Sequence, residues 1–124
     1  AAPATFNFSS AQAQAYQAAA ITSNAAMAQN GAAFMMWAGN AHQDNYVRVT
    51  SQAIPPISSD AAFILTLLGG NPNATLSGYS QGDINMDGST RVTSQAIPPI
   101  ASDAAFILST PLGGNPNATR REHK

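Results

Sequence analysis

Six acidic residues occur in this 124-residue chain, and five of them are aspartates at recurring positions. Asp44 recurs as Asp87 and Asp60 as Asp103, each 43 residues on, while Asp83 aligns with Asn40. Asp83, Asn85, Asp87 and Gly88 form a D-x-N-x-D-G run, in which alternate side-chain oxygens converge on a hard cation and the glycine takes the sharp turn. Calcium takes about six to eight oxygens, so these three side chains and the carbonyl of Ser89 leave the shell open. Position twelve of such a loop carries a bidentate acid; here it is Ser94, and Ser51 in the first copy. The adjoining Pro-Pro insert displaces the closing acid, and Asp103 is expected to return and complete the second site. The first site would then comprise Asn40, His42, Asp44, the carbonyl of Tyr46 and Asp60. Both closing aspartates stand 20 residues after loop position one, as a shared geometry requires.

The two sites are expected to be unequal. The second offers three carboxylates and a glycine; the first offers two, with His42 in place of Asn85 and Asn45 in place of Gly88. Asparagine tolerates positive φ, so the turn survives, but imidazole is a poor calcium ligand. The expectation is therefore Ca2+ at two sites, the second stronger. The competing reading is that the aspartates cap turns and helices. Arg48 and Arg91, also repeat-equivalent, stand next to the loops, where a guanidinium pairs with a carboxylate or stitches backbone carbonyls.

The elements that must position these residues come from the same repeat. Arg48 to Leu65 reads RVTSQAIPPISSDAAFIL and Arg91 to Leu108 reads RVTSQAIPPIASDAAFIL. Both run on into Leu-Gly-Gly-Asn-Pro-Asn-Ala-Thr. Proline restricts itself and its predecessor, so Ile54-Pro55-Pro56-Ile57 and Ile97-Pro98-Pro99-Ile100 are expected to be extended, with a helix starting only after them. Ser59-Asp60 and Ser102-Asp103 supply the cap and first-turn acid, and Gly69-Gly70 and Gly113-Gly114 the stop. Phe63, Ile64, Leu65, Phe106, Ile107 and Leu108 are the expected shared core. Upstream, Thr5 to Ser9 alternates in a strand period, Ala33 to Trp37 reads as a short buried strand, and Ala11 to Asn30 is ambiguous between helix and strand. Phe34 and Trp37 are read as core. The fold class is α+β: tandem EF-hand-like calcium loop plus short-helix repeats, with short N-terminal β-strands. The divisions are 1–39, an Ala/Gln-rich segment; 40–75, the first repeat; 76–119, the second; and 120–124, a basic tail.

Composition narrows the function classes. Charged residues are 9% of the chain, against roughly 25% in an ordinary soluble domain. The net charge of -1 gives no footprint for nucleic acid. The longest uncharged apolar run, Ala32 to Ala38, is far short of a membrane span. With no cysteine, a small exported domain needs another staple, such as a metal. Ala1-Ala2-Pro3-Ala4-Thr5 resembles what remains after a signal peptide is cut, which suggests an extracellular or cell-surface protein. Catalysis has little to work with: His42 is the only histidine before the tail, there is no thiol, and every acid before the tail belongs to the repeat. No enzyme activity is expected.

Gly82 to Ser94, GDINMDGSTRVTS, resembles the calcium loop of dockerin-type repeats. With MWAGN before the first loop and GYSQGDINMDG before the second, the chain from roughly Met35 to Arg121 is similar to the C-terminal dockerin-like domain of exported Bacteroidota proteins. The resemblance implies a secreted, calcium-stabilised module. Ser51, Ser94 and the Pro-Pro insert depart from the dockerin pattern. Near-identical repeats, low charge and an alternating N-terminal segment suggest a self-associating subunit of an extracellular fibre or surface assembly. The alternative is a dockerin-like interaction module that anchors a larger secreted protein. Asn73-Ala74-Thr75, Asn117-Ala118-Thr119 and Asn7-Phe8-Ser9 match the glycosylation sequon, which would place a surface glycan at Asn73, Asn117 and Asn7.

Overall fold

The computed structural model describes residue 7 and residues 9–122. Among the described residues it is α+β, with two short α-helices and three small two-stranded sheets, of which those pairing Met27–Asn30 with Ala33–Met36 and Leu76–Ser77 with Ser89–Thr90 are antiparallel. Two compact units are present: 1–37 with 121–124, and 38–120.

In the first unit, β1 (Met27–Asn30) pairs antiparallel with β2 (Ala33–Met36), Met27 opposite Met36 and Asn30 opposite Ala33. Gly31, at φ +60°, makes the reversal. The ambiguous tract, Ala11 to Asn30, resolves into a single 3-10 turn, Gln12–Gln14, irregular chain and β1 at its end. The expected strand at Ala33 is there, but it is not buried: Met35 and Met36 are exposed and Phe34 is half-buried. Met35 and Met36 point to opposite faces, and a lone two-stranded hairpin has too little covering to bury both. Trp37 is half-buried and donates from Nε1 to the Ala25 carbonyl at 2.8 Å. Arg121 is held by Asn24, whose amide bonds both its N–H and its carbonyl, at 2.9 and 3.0 Å. Apart from Asn7 and Ser9, the alternating segment Thr5 to Ser9 lies outside the described residues.

The second unit holds both loops. α1 (Asp60–Leu67) and α2 (Asp103–Ser109) start on serine caps, where Ser59 Oγ accepts from Ala62 N–H and Ser102 Oγ from Ala105 N–H, each at 3.1 Å. Both helices begin where the sequence places them, and they pack on each other. Ile64 and Ile107 are fully buried, with Ala41, Val47, Leu68 and Leu112 around them. Phe63, Leu65, Phe106 and Leu108 are only partly buried, because two-turn helices turn one residue per turn squarely inward. β3 (Tyr46–Val47) is bonded to the strand that begins at Arg120, and β4 (Leu76–Ser77) pairs with β5 (Ser89–Thr90). The segment after each helix thus returns to the loop strand of the other repeat.

The Ile-Pro-Pro-Ile segments are not extended. Each forms a tight turn with a cis Ile-Pro bond, closed by reciprocal backbone bonds between Gln52 and Ile57 at 2.9 and 2.8 Å, and between Gln95 and Ile100 at 2.9 Å each way. Restriction of the prolines excludes helix, but a cis X-Pro bond satisfies the same restriction within a turn.

Candidate metal centres

Each loop is organised by its own side-chain oxygens. In the second, Asp83 Oδ1 and Oδ2 accept from the N–H groups of Asp87 and Gly88 at 3.1 and 3.0 Å. Asn85 Oδ1 also accepts from Asp87 N–H at 3.0 Å, and Asp87 Oδ1 from Ser89 N–H at 2.9 Å. The chain turns through positive φ at Met86 (59°) and Gly88 (80°). In the first loop Asn40 Oδ1 accepts from Asp44 N–H at 3.2 Å and Asp44 Oδ1 from Tyr46 N–H at 2.9 Å. Gln43 and Asn45 take the matching positive φ, 59° and 74°. Asn45 thus does the conformational work of Gly88, as its side chain permits.

The distant aspartates do return to their loops. Asp103 Oδ1 accepts from Ile84 and Asn85 N–H at 2.7 and 3.3 Å, and Oδ2 from Arg91 N–H at 2.8 Å. Asp60 Oδ1 accepts from His42 N–H at 3.0 Å and Oδ2 from Arg48 N–H at 2.8 Å. Both carboxylates are buried, at 0% and 1% exposure, and both oxygens of each are engaged with backbone donors. Each therefore fastens the two ends of its loop to the helix start. Burial raises the Asp60 carboxyl above its ordinary 3.8, with Asp44's charge adding to the rise; backbone N–H groups of Arg48, His42 and Ala41 oppose it.

The loop-twelve serines have a role the sequence reading missed. Ser51 Oγ accepts from Ser59 N–H at 3.0 Å and lies 3.2 Å from Ser59 Oγ; Ser94 holds Ser102 in the same way, at 3.0 and 3.3 Å. The residue in the closing-acid position fixes the helix cap instead. The signal was present as a serine eight residues before each capping serine.

Surroundings separate the two loops. Asp44 Oδ2 faces Arg48 Nη2 at 3.4 Å and His42 Nδ1 at 3.7 Å, and the imidazole packs on Phe63 at 5.5 Å between centroids. Asp87 Oδ2 instead accepts from the Asn85 amide at 3.2 Å. Among the described residues, no three or more His, Asp or Glu side chains are gathered as a metal-holding group. The donor set of each loop also includes amide and backbone oxygens. The second loop, with two loop carboxylates, an amide oxygen and a glycine turn, fits a hard cation. The first, with one loop carboxylate, an amide and an imidazole, does not fit well.

Asn73 and Asn117 lie in exposed turns after the helices, each N–H bonded to the side chain of the asparagine two residues earlier at 3.0 Å; Asn7 is also exposed. No described helix is long and apolar enough to cross a membrane. Comparison of the chain with protein-family models, curated proteins and solved structures gave no match.

Proposed function

We propose that the chain is a secreted calcium-binding structural protein, not an enzyme, and that it forms the subunit of an extracellular fibre or surface assembly. The observation that carries the calcium reading is the second loop, where Asp83, Asn85 and Asp87 already turn their oxygens onto the loop's own N–H groups. The ion would be held by those three side chains and the Ser89 carbonyl, with Asp103 bracing the loop ends from the helix. Bound calcium neutralises the carboxylates and locks the loop against both helices. In a chain without cysteine that is a folding staple.

Self-association is supported by two apolar tips. Ile54 and Ile97 are 89% and 88% exposed in the equivalent Pro-Pro turns, so the unit presents the same projection twice. Duplicated contacts of this kind suit a repeating assembly. The same tips also favour a second reading, an interaction module that anchors a larger secreted protein. Electron microscopy of the full chain in calcium separates the two: open filaments support the fibre reading. Particles of about 13 kDa that stay monodisperse at high concentration sink it in favour of the module. Peptide mass spectrometry across Asn73 and Asn117 tests the surface glycan.

A further inference from the structure

We infer that the first loop carries its own cation: the Arg48 guanidinium pairs with Asp44, the carboxylate that a divalent ion would need there, so the chain takes one calcium, in the second loop. The one-calcium clause rests on the reading above; the Arg48 clause stands without it.

Arg48 is 6% exposed, and its place is fixed from several sides. Its N–H and carbonyl are both bonded to Asp60, at 2.8 and 3.0 Å. Its guanidinium carbon lies 4.4 Å from the Tyr46 ring centroid, a cation-π contact. Nη2 reaches Asp44 Oδ2 at 3.4 Å, while Nε is buried without a hydrogen-bond partner. A buried guanidinium with an unmet donor is costly unless its charge is matched, and Asp44 is the carboxylate that matches it. An incoming dication would have to displace this group or sit beside it with like charge.

Arg91 occupies the equivalent position and does something different. Ser89 stands where the first copy has Tyr46, so the ring that lies under Arg48 has no counterpart at that position. Asp87 Oδ2 is held by the neutral Asn85 amide, and no described ion pair reaches Arg91, although its Nη1, like Arg48 Nε, is buried without a hydrogen-bond partner. With Asp103 engaged by backbone N–H groups, the second loop keeps two loop carboxylates, Asp83 and Asp87, that no described guanidinium pairs with. The first, with Asp60 engaged in the same way, has one, Asp44, and an internal cation. Affinity for calcium follows the charge of the ligand set. The differences that bear on this division are Asn40 against Asp83, which removes a carboxylate, and Tyr46 against Ser89 and His42 against Asn85, which change what surrounds the arginine and the remaining carboxylate; together they divide the pair into a metal-free loop and a metal-dependent one.

The test uses the full chain in two arms. In chelator, thermal midpoints are compared for Arg48→Gln, Asp44→Asn and the double variant, and for Arg91→Gln, Asp87→Asn and their double. Each first-loop single variant is expected to lower the midpoint by about 3–8 °C, and the double variant by little more than one of them. The second-loop set is expected to be additive. Additive first-loop losses would overturn the inference. Should Arg48→Gln fail to fold, Arg48→Lys replaces it, with partial recovery expected from the retained charge and no recovery counting against the pairing. In the second arm, calcium titration is expected to give one ion per chain, abolished in Asp83→Asn/Asp87→Asn. Two ions per chain, or one surviving in that variant, overturns the one-calcium clause and leaves calcium binding intact. No ion at all sinks the calcium reading, and the chelator arm still decides the Arg48 pairing.

Discussion

Arg91 and Asp103 are tied to each other twice: Asp103 Oδ2 accepts the Arg91 N–H at 2.8 Å, and the Arg91 carbonyl accepts the Asp103 N–H at 3.0 Å. Arg48 and Asp60 make the same two bonds at the same lengths. The strand leaving each loop is thereby joined to the first residue of each helix. The Pro-Pro turn between them is looped out, with its own closing pair of bonds. The insert lengthens the chain without separating loop from helix.

Asp103→Asn is expected to destabilise the chelated protein by about 2–4 kcal/mol. An amide keeps one acceptor and turns an N–H toward donors that now lack one, and buried bonds to a charged group are costly to lose. The urea midpoint should fall without a change in slope. An unchanged midpoint would remove the role of Asp103 as a loop brace.

Ser59→Ala and Ser102→Ala should each cost about 1–2 kcal/mol, because each removes a helix cap. Ser51→Ala and Ser94→Ala should cost a comparable amount, although neither residue lies in a helix, because each leaves the N–H of the capping serine without its acceptor. Ser51→Ala combined with Ser59→Ala should be less than additive, since the pair shares a hydrogen bond. Chemical denaturation of the four single and two double variants provides the check.

Gly82 and Gly39 stand just before loop position one in each repeat. A Cβ at Gly82 would meet Thr90 Cγ2 at 2.7 Å and Leu67 Cδ1 at 3.0 Å; at Gly39 it would meet Val47 Cγ1 at 2.8 Å, with φ at +115°. Gly82→Ala should cost about 1–3 kcal/mol through overpacking, and Gly39→Ala more, because it adds backbone strain. Thermal melts of the two variants should rank in that order.

How much of this was legible follows from what kind of interaction each part uses. Helix starts were readable because proline and serine act locally, and Ile64 and Ile107 fell in the core as an apolar run ended by Gly-Gly requires. The return of Asp60 and Asp103 to the loops was readable from equal spacing. What spacing does not carry is what an oxygen binds on arrival, and here it meets backbone N–H groups. The Pro-Pro turns were misread as extended because the proline rule excludes helix without choosing between strand and cis turn. The hairpin at Ala33 was legible as strand, but its exposure depends on a covering layer that a local pattern cannot report.

Because burial raises Asp60's carboxyl above 3.8, the folded protein binds that proton more tightly than the unfolded chain does. Its contribution to stability is therefore complete below about pH 3.8 and declines as pH rises through the raised value. The stability difference between the native chain and Asp60→Asn, followed in chelator from pH 3 upward, should shrink across that window. A difference that grows with pH would mean that the backbone N–H bonds outweigh desolvation.

Thermal unfolding of the full chain in calcium and in chelator tests calcium binding at the second loop most directly. Saturating calcium should raise the midpoint, by an increment that grows with ion concentration as linkage requires, and Asp83→Asn/Asp87→Asn should abolish the rise. Identical midpoints in calcium and chelator would contradict it.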